Sequence, residues 1–358
     1  MPWSTDSLFI YSACIEREEK LLATRKGKTV FLEKKPRIIA NAAAVGKKEG
    51  EGPLGKEFDL VFEDDTLGLP TWEKAESELL KTAIKKALAN GKIEKSEVDA
   101  VFSGDLLDQC IGSSFGLREL QIPSCGLYGA CSTMALSLCM ASLAIETGGF
   151  DCCVAATCSH FCSAEKQFRY PLEYGGQRTP TAQWTVTGAG AAVLKNKVSA
   201  ASPYIDCIHI GTICDLGITD ANNMGAAMAP AAKKTIADFL RDTNTTPSDY
   251  DMILTGDLGK VGSDLLKELM LKEEGIDLSP VHNDCGLLIF DRKAQDVHSG
   301  GSGCGCSASV LCSYILNRFR NGFFKKVLFV ATGALMSPVS SLQGESIPGI
   351  AHAVLIKR

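Results

Sequence analysis

Apolar residues fall into two rhythms along this chain. Short, mainly apolar runs at 98–103, 152–157, 251–255 and 327–332 predict buried strands, because a strand covered on both faces loses its polar alternation; 184–194, which mixes Thr, Val, Gly and Ala, suits a strand in a tightly packed layer, and 37–45 is a first apolar segment. Longer stretches with apolar residues near helical spacing predict helices at 71–91, 132–147, 224–240, 263–272 and 307–320. The first of these has clear ends. Thr71 stands as N-cap, Ala75, Leu79, Ala83 and Leu88 recur along one face, and Gly91 closes it. A short strand is expected after Pro123, and the Gly/Glu/Lys-rich stretch 46–55 reads as a loop too long for a tight turn. Strands alternating with helices predict largely parallel sheets covered by helices.

The pattern is written twice. Val98-Asp99-Ala100-Val101-Phe102-Ser103-Gly104-Asp105-Leu106 returns as Tyr250-Asp251-Met252-Ile253-Leu254-Thr255-Gly256-Asp257-Leu258. Ala130-Cys131-Ser132-Thr133 is echoed by Gly305-Cys306-Ser307-Ala308, and Ala155-Ala156-Thr157 by Val330-Ala331-Thr332, both 175 positions on. Two long copies imply two similar halves packed together, and any site is expected where they meet. The fold class is therefore α/β, with two duplicated βα halves in five αβαβα layers. Residues 1–26, which include the charged run Glu16-Arg17-Glu18-Glu19-Lys20, read as an extension; 27–199 form the first half and 200–358 the second, divided at the polar, small-residue stretch 196–203.

Composition narrows the function classes. A length of 358 residues with 45% apolar content supports a large core. The 37 basic and 42 acidic side chains are mixed along the chain, giving a net charge of −5 and no basic stripe for nucleic acid. No run is expected to reach the roughly 18 to 20 apolar residues of a membrane span, and the apolar stretch 7–15 lacks the flanks of a signal peptide. The 15 cysteines sit in apolar patterns, which implies a reducing compartment. Cys152, Cys153, Cys158 and Cys162, and the Cys304-Gly305-Cys306 pair, lack the paired spacing of a zinc site, so no metal is expected. The glycine stretch 300–305 has neither the ending of a phosphate loop nor dinucleotide spacing, and no cofactor is expected.

Cys131 is the sharpest chemical candidate. It lies between a strand and a helix, where free backbone N–H groups and the helix dipole are expected to lower a thiol pKa and attract an anion. His160 and Arg169 follow the strand at 152–157 and suit a carboxylate; the alternative is an arginine paired with Glu165 or Glu173 and a histidine capping backbone. Asp105 and Asp257 hold equal places in the repeat. Asp105 reads as a turn-former bonded to its own backbone, and Asp257 is open. His282-Asn283-Asp284 reads as a turn, with acid/base work as the alternative.

Gly129-Ala130-Cys131-Ser132-Thr133, within the duplicated halves, resembles the thiolase and ketoacyl synthase superfamily. Further motifs resemble one family within it, the stage V sporulation protein AD family: Ser103-Gly104-Asp105-Leu106-Leu107, Glu165-Lys166-Gln167-Phe168-Arg169-Tyr170-Pro171, Glu173-Tyr174-Gly175-Gly176-Gln177, Asp215-Leu216-Gly217-Ile218-Thr219-Asp220, Met224-Gly225 with Ala227-Met228-Ala229-Pro230, and Gly300-Gly301-Ser302-Gly303-Cys304. The resemblance implies the five-layer thiolase fold and a homodimer. It also implies binding of dipicolinic acid (pyridine-2,6-dicarboxylate) or its calcium chelate for uptake into the developing spore. The setting it implies is peripheral at the inner spore membrane, beside membrane proteins of the same operon. Condensing enzymes pair their cysteine with histidines. In this resemblance Asp257 stands at the place of one and Ser302 at the place of the other, so the expected protein is catalytically silent and binds its ligand through Cys131, His160, Arg169, Asp257 and Ser302. The rival is an active acyltransferase with Cys131 as nucleophile and His160 or His282 as base; a third reading is a structural adaptor.

Overall fold

Two sheets of the same strand order carry the fold in the computed structural model, which describes residues 23–169, 178–196 and 201–358. The first half contains β1 (Ala23–Lys26), β2 (Thr29–Leu32), β3 (Arg37–Gly46), β4 (Leu60–Phe62), α1 (Trp72–Gly91), β5 (Ala100–Gly104), α2 (Ile111–Arg118), β6 (Ser124–Gly126), α3 (Thr133–Thr147), β7 (Cys152–Ser159), α4 (Phe161–Phe168), β8 (Trp184–Thr185) and β9 (Gly188–Lys195). The second contains β10 (Tyr204–His209), α5 (Met224–Thr243), β11 (Met252–Thr255), α6 (Gly259–Glu274), β12 (His282–Asp284), β13 (Gly301–Ser302), α7 (Cys304–Val310), α8 (Leu316–Arg320), β14 (Lys326–Ala334) and β15 (Gly349–Lys357).

The order β6-β5-β7-β9-β3 in one half matches β12-β11-β14-β15-β10 in the other. The expectation of largely parallel sheets needs correction. In each sheet four strands share one direction and one runs against them, because β9 lies antiparallel between β7 and β3, and β15 antiparallel between β14 and β10. The sheets also touch at their edges, through the single pair Tyr204–Arg37. The β1–β2 hairpin extends β10, so Ala23–Lys26, at the end of the 1–26 segment, belong to a strand; residues 1–22 lie outside the described residues.

Side-chain alternation explains the layers. On β7, Cys152, Val154, Ala156 and Cys158 face the outer layer with α1, while Cys153 and Ala155 face the middle layer with α3. Both faces are buried, hence the unbroken apolar run. The middle layer packs α3, α7 and α8 between the sheets, and α5 with α6 covers the outer face of the second sheet.

Several local expectations shift for physical reasons. Thr71 caps α1 as expected, its Oγ1 accepting from the Lys74 N–H at 3.3 Å. The 184–194 run divides, because β8 leaves the sheet to pair with β13 before β9 begins. The helix expected at 307–320 starts at Cys304 and loosens into a π-helical stretch at Leu311–Ile315. The 46–55 loop contains a helical turn, Lys47–Gly50. The segment Ala130–Thr147, contrary to expectation, is long and apolar enough to cross a membrane by length and composition; the fold uses it as the central core helix, 72% buried.

Candidate functional site

Cys131 sits in a 3₁₀ turn, Ala130–Ser132, just before α3. Ala130 adopts φ +50°, an uncommon conformation for a residue with a Cβ, costing about 1 kcal/mol. Side chains of the turn itself hold it. The Thr133 hydroxyl donates to Ala130 O (2.6 Å) and accepts from the Gly129 N–H (3.1 Å), while the Ser132 hydroxyl donates to Gly129 O (2.6 Å). Gly333 on β14 lets the second sheet close on this turn, since a Cβ there would lie 2.4 Å from Gly129 O. The elbow therefore aims Cys131, 4% exposed, into a cavity between the halves.

Asp257 faces the thiol from the end of β11. Its Oδ2 accepts from the Gly303 N–H (2.8 Å) and the Ser302 hydroxyl (3.2 Å), and its Oδ1 from the Thr332 hydroxyl (2.9 Å). Gln183 fixes the backbone behind it, its Nε2 donating to the carbonyls of Asp257 (2.6 Å) and Gly301 (2.8 Å). Complete burial pushes the Asp257 carboxyl up to about 6 against the pull of these donors. Burial and the facing carboxylate together push the Cys131 thiol well above its ordinary value. The expected thiol activation is thus reversed: desolvation and a like charge outweigh the helix start, and Cys131 is held as a neutral thiol.

Leu106, Tyr128, Ala164, Phe168, Met224 and Met336 supply much of the cavity's apolar wall, with Arg169 at its edge. The Arg169 guanidinium pairs with Glu165 and lies 3.5 Å from the Met224 sulfur, while its buried Nε–H has no partner among the described residues. Arg169 thus forms the ion pair with Glu165 that is its alternative reading, and it borders the cavity. His160 is not brought to the cavity. Its Nδ1 accepts from the Cys162 N–H (3.1 Å) as the cap of α4, and its Nε2–H donates to Asp65 O (2.7 Å), in a separate groove beside Trp184. The open volume at Cys131 is about 30 Å³, roughly the share of one water molecule in the liquid.

None of the five histidines lines this cavity. His209 bonds Thr29 (3.0 Å); His282 bonds Thr255 (3.0 Å), and burial lowers its pKa to about 4; His298 stands beside Asp296 (3.4 Å). His352 accepts from the Gly211 N–H (3.1 Å) and approaches the backbone of the Cys131 turn at Gly129. Asp105 bonds the N–H groups of Leu107 (2.8 Å) and Ser113 (2.6 Å), the backbone role expected for it. Asp284, read as part of a turn, holds the N–H groups of Leu258 (2.8 Å) and Gly259 (3.0 Å). Among the described residues, no group of three or more His, Cys, Asp or Glu is placed to hold a metal. Thr332 and Met224 were not singled out for the site, although Thr332 closes the repeated Ala-Thr motif and Met224 opens a quoted one. The quoted stretches at 170–171 and 173–177 lie outside the described residues.

Comparison with known proteins matches the family described as stage V sporulation protein AD (SpoVAD) to residues 26–357. The chain belongs to that family. Stage V sporulation protein AD of Bacillus subtilis (strain 168) is 44% identical over 333 residues, covering 93% of this chain and 97% of the relative. Among solved structures, 3-oxoacyl-[acyl-carrier-protein] synthase III from Aquifex aeolicus VF5 is 13% identical with a TM-score of 0.53, over 90% of this chain and all of that one (100%). Cerulenin-bound OleA of Xanthomonas campestris is 12% identical with a TM-score of 0.57, over 94% of this chain and 100% of that one. These structures establish the thiolase-like fold of this family member.

Proposed function

We propose that this family member is a non-catalytic protein that binds dipicolinic acid, free or as its calcium chelate, for uptake into the developing spore. The observation that carries the reading is the pairing of Cys131 with Asp257 in a cavity that no histidine lines. Acyl transfer at Cys131 needs a thiolate and donors for a developing oxyanion. Here the thiol is kept neutral, and a carboxyl group stands where those donors would be needed.

The same arrangement suits an anion that stays intact. The Arg169 Nε–H at the cavity edge, unpartnered among the described residues, can donate to a ligand carboxylate, and apolar walls flank the ring. The open volume is far below the roughly 300 Å³ at the lower end of small-molecule pockets. Entry of the ring therefore displaces Phe168, Met224 and Met336, two of them flexible thioethers. Asp257 takes up a proton as the dianion arrives, and calcium in the chelate offsets the same repulsion. In this reading the protein is a homodimer, peripheral at the inner spore membrane beside membrane proteins of its operon. β6, exposed and paired only with β5 among the described strands, offers an edge for the dimer.

Calorimetric titration with dipicolinic acid, with and without calcium, tests the reading on the parent, Cys131→Ala and Arg169→Ala. Saturable binding weakened about tenfold by each substitution supports it. Unchanged affinity in both variants would remove the pocket. A thioester trapped on Cys131 by an acyl-CoA would replace the carrier with an enzyme.

A further inference from the structure

Eleven large apolar side chains are exposed among the described residues, and five of them lie on two joined connections: Ile210, Ile213 and Leu216 in the loop after β10, Val339 and Leu342 in the helical turn Pro338–Leu342 of the connection between β14 and β15. Leu342 is 90% exposed and Leu216 69%, so neither contributes much to the core. Scattered single exposures are ordinary, whereas a cluster on one surface marks a binding face. The loops form a fixed unit. Cys214 and Gly349 exchange both backbone hydrogen bonds (2.8 and 2.7 Å), Ile347 N–H donates to Ile218 O (2.7 Å), and the Ser346 hydroxyl donates to Asp215 (2.6 Å). Leu335 N–H closes the second loop on Pro348 O at 2.8 Å.

Charge on these loops selects the partner. Stretches 210–223 and 335–348 contain Asp215, Asp220 and Glu345 and no lysine or arginine. The neighbouring Lys28 ammonium reaches Thr212 but is paired with Asp238 at 2.9 Å. A second copy seated face to face would set acid against acid, and an anionic bilayer would be repelled. We propose that the joined loops form a docking surface for a protein segment that interleaves apolar side chains with lysine or arginine. Basic side chains on that segment meet Asp220 and Glu345 while its apolar ones cover Leu216 and Leu342. The surface flanks the Cys131 cavity, since Met336 lies within the second loop and Met224 directly follows the first. A segment docked here sits beside the cavity entrance. The surface stands independently of what the cavity binds.

The test uses the full chain and three probes: a fluorescent synthetic Leu/Lys amphipathic peptide, its Leu/Glu counterpart, and phosphatidylglycerol vesicles. Saturable binding of the Leu/Lys peptide alone is expected. Leu216→Ser with Leu342→Ser should weaken it at least about tenfold, Asp220→Asn with Glu345→Gln a few-fold, and Leu271→Ser, an exposed apolar residue on α6, less than about twofold. All changed side chains are exposed or at the surface, and the charge pair tests the surface independently of the apolar pair. Three results would each overturn the proposal: no binding of the Leu/Lys peptide, equal binding of the Leu/Glu peptide, or full affinity in the Leu216/Leu342 variant. Vesicle binding that depends on Leu216 and Leu342 would make the surface a lipid contact instead.

Discussion

Asp105 and Asp257 follow equivalent strands of the repeat, yet they do different work. Asp105 turns back on its own half and holds the N–H groups of Leu107 and Ser113. Asp257 turns toward the other half's cysteine and is held by Ser302, Gly303 and Thr332. In the second half Asp284 takes over the backbone duty, bonding Leu258 and Gly259. The cysteines diverge in parallel. Cys131 precedes its helix on a turn that opens into the cavity, whereas the second helix starts earlier, so that Cys306 falls inside it and is buried in the core. Duplication supplied two equivalent frames, and the start of each helix sets which one has a cysteine facing the cavity.

Removing each aspartate separates the roles. Asp105→Ala leaves two buried N–H groups without acceptors and should cost on the order of 3 kcal/mol in urea unfolding, with little change in ligand affinity of the folded protein. A loss below about 1 kcal/mol would contradict the backbone role.

Asp257→Asn should act mainly through pH. The folded pKa of about 6 lies above the unfolded value near 3.9, so the folded state holds more protons between them and stability falls as pH rises through that window. The contribution is fully present below about pH 4 and lost above about pH 6, an order of 3 kcal/mol. In Asp257→Asn the decline between pH 4 and pH 7 should shrink by that order, the remainder resting on the other buried carboxyls that burial raises, Asp284 and Glu49 to about 7, with Glu76 and Asp105 shifted in the same direction. An unchanged decline would mean that Asp257 ionises normally in the fold.

Thiol chemistry gives a smaller effect. At pH 7.5, Cys125, which is exposed, should alkylate first, with Cys131 slower by about tenfold or more; Asp257→Asn should speed Cys131 several-fold by removing the facing charge. Mass-spectrometric mapping of iodoacetamide adducts reads this directly, and fast labelling of Cys131 in the parent would show an activated thiol. The smallest change is expected at His160→Asn. Asparagine can still cap α4 but loses the Asp65 contact, so about 1 kcal/mol of stability goes and ligand affinity stays. A large affinity loss would return His160 to the site.

Much of the fold was legible because its strands are covered on both faces and its helices carry caps, as at Thr71. The antiparallel returns were not: β9 and β15 carry the same continuous apolar composition as parallel strands, and direction leaves no trace in such a run. For the site, Cys131 stood out through its small neighbours, and Asp257 and Ser302 through the family resemblance. Thr332 was visible only as a repeated residue, since its role depends on the hydroxyl reaching Asp257 across 75 positions. His160 misled because a polar loop after a strand is equally the mark of a ligand contact and of a helix cap.

We propose that dipicolinic acid binding depends on the protonation of Asp257, which is buried and faces the Cys131 thiol. Affinity measured calorimetrically at pH 5.5 and 7.5, for the parent and Asp257→Asn without calcium, tests it most directly. The parent is expected to bind about tenfold more weakly at pH 7.5, while Asp257→Asn changes little. Equal affinity of the parent at both values, or the same pH dependence in Asp257→Asn, would contradict it.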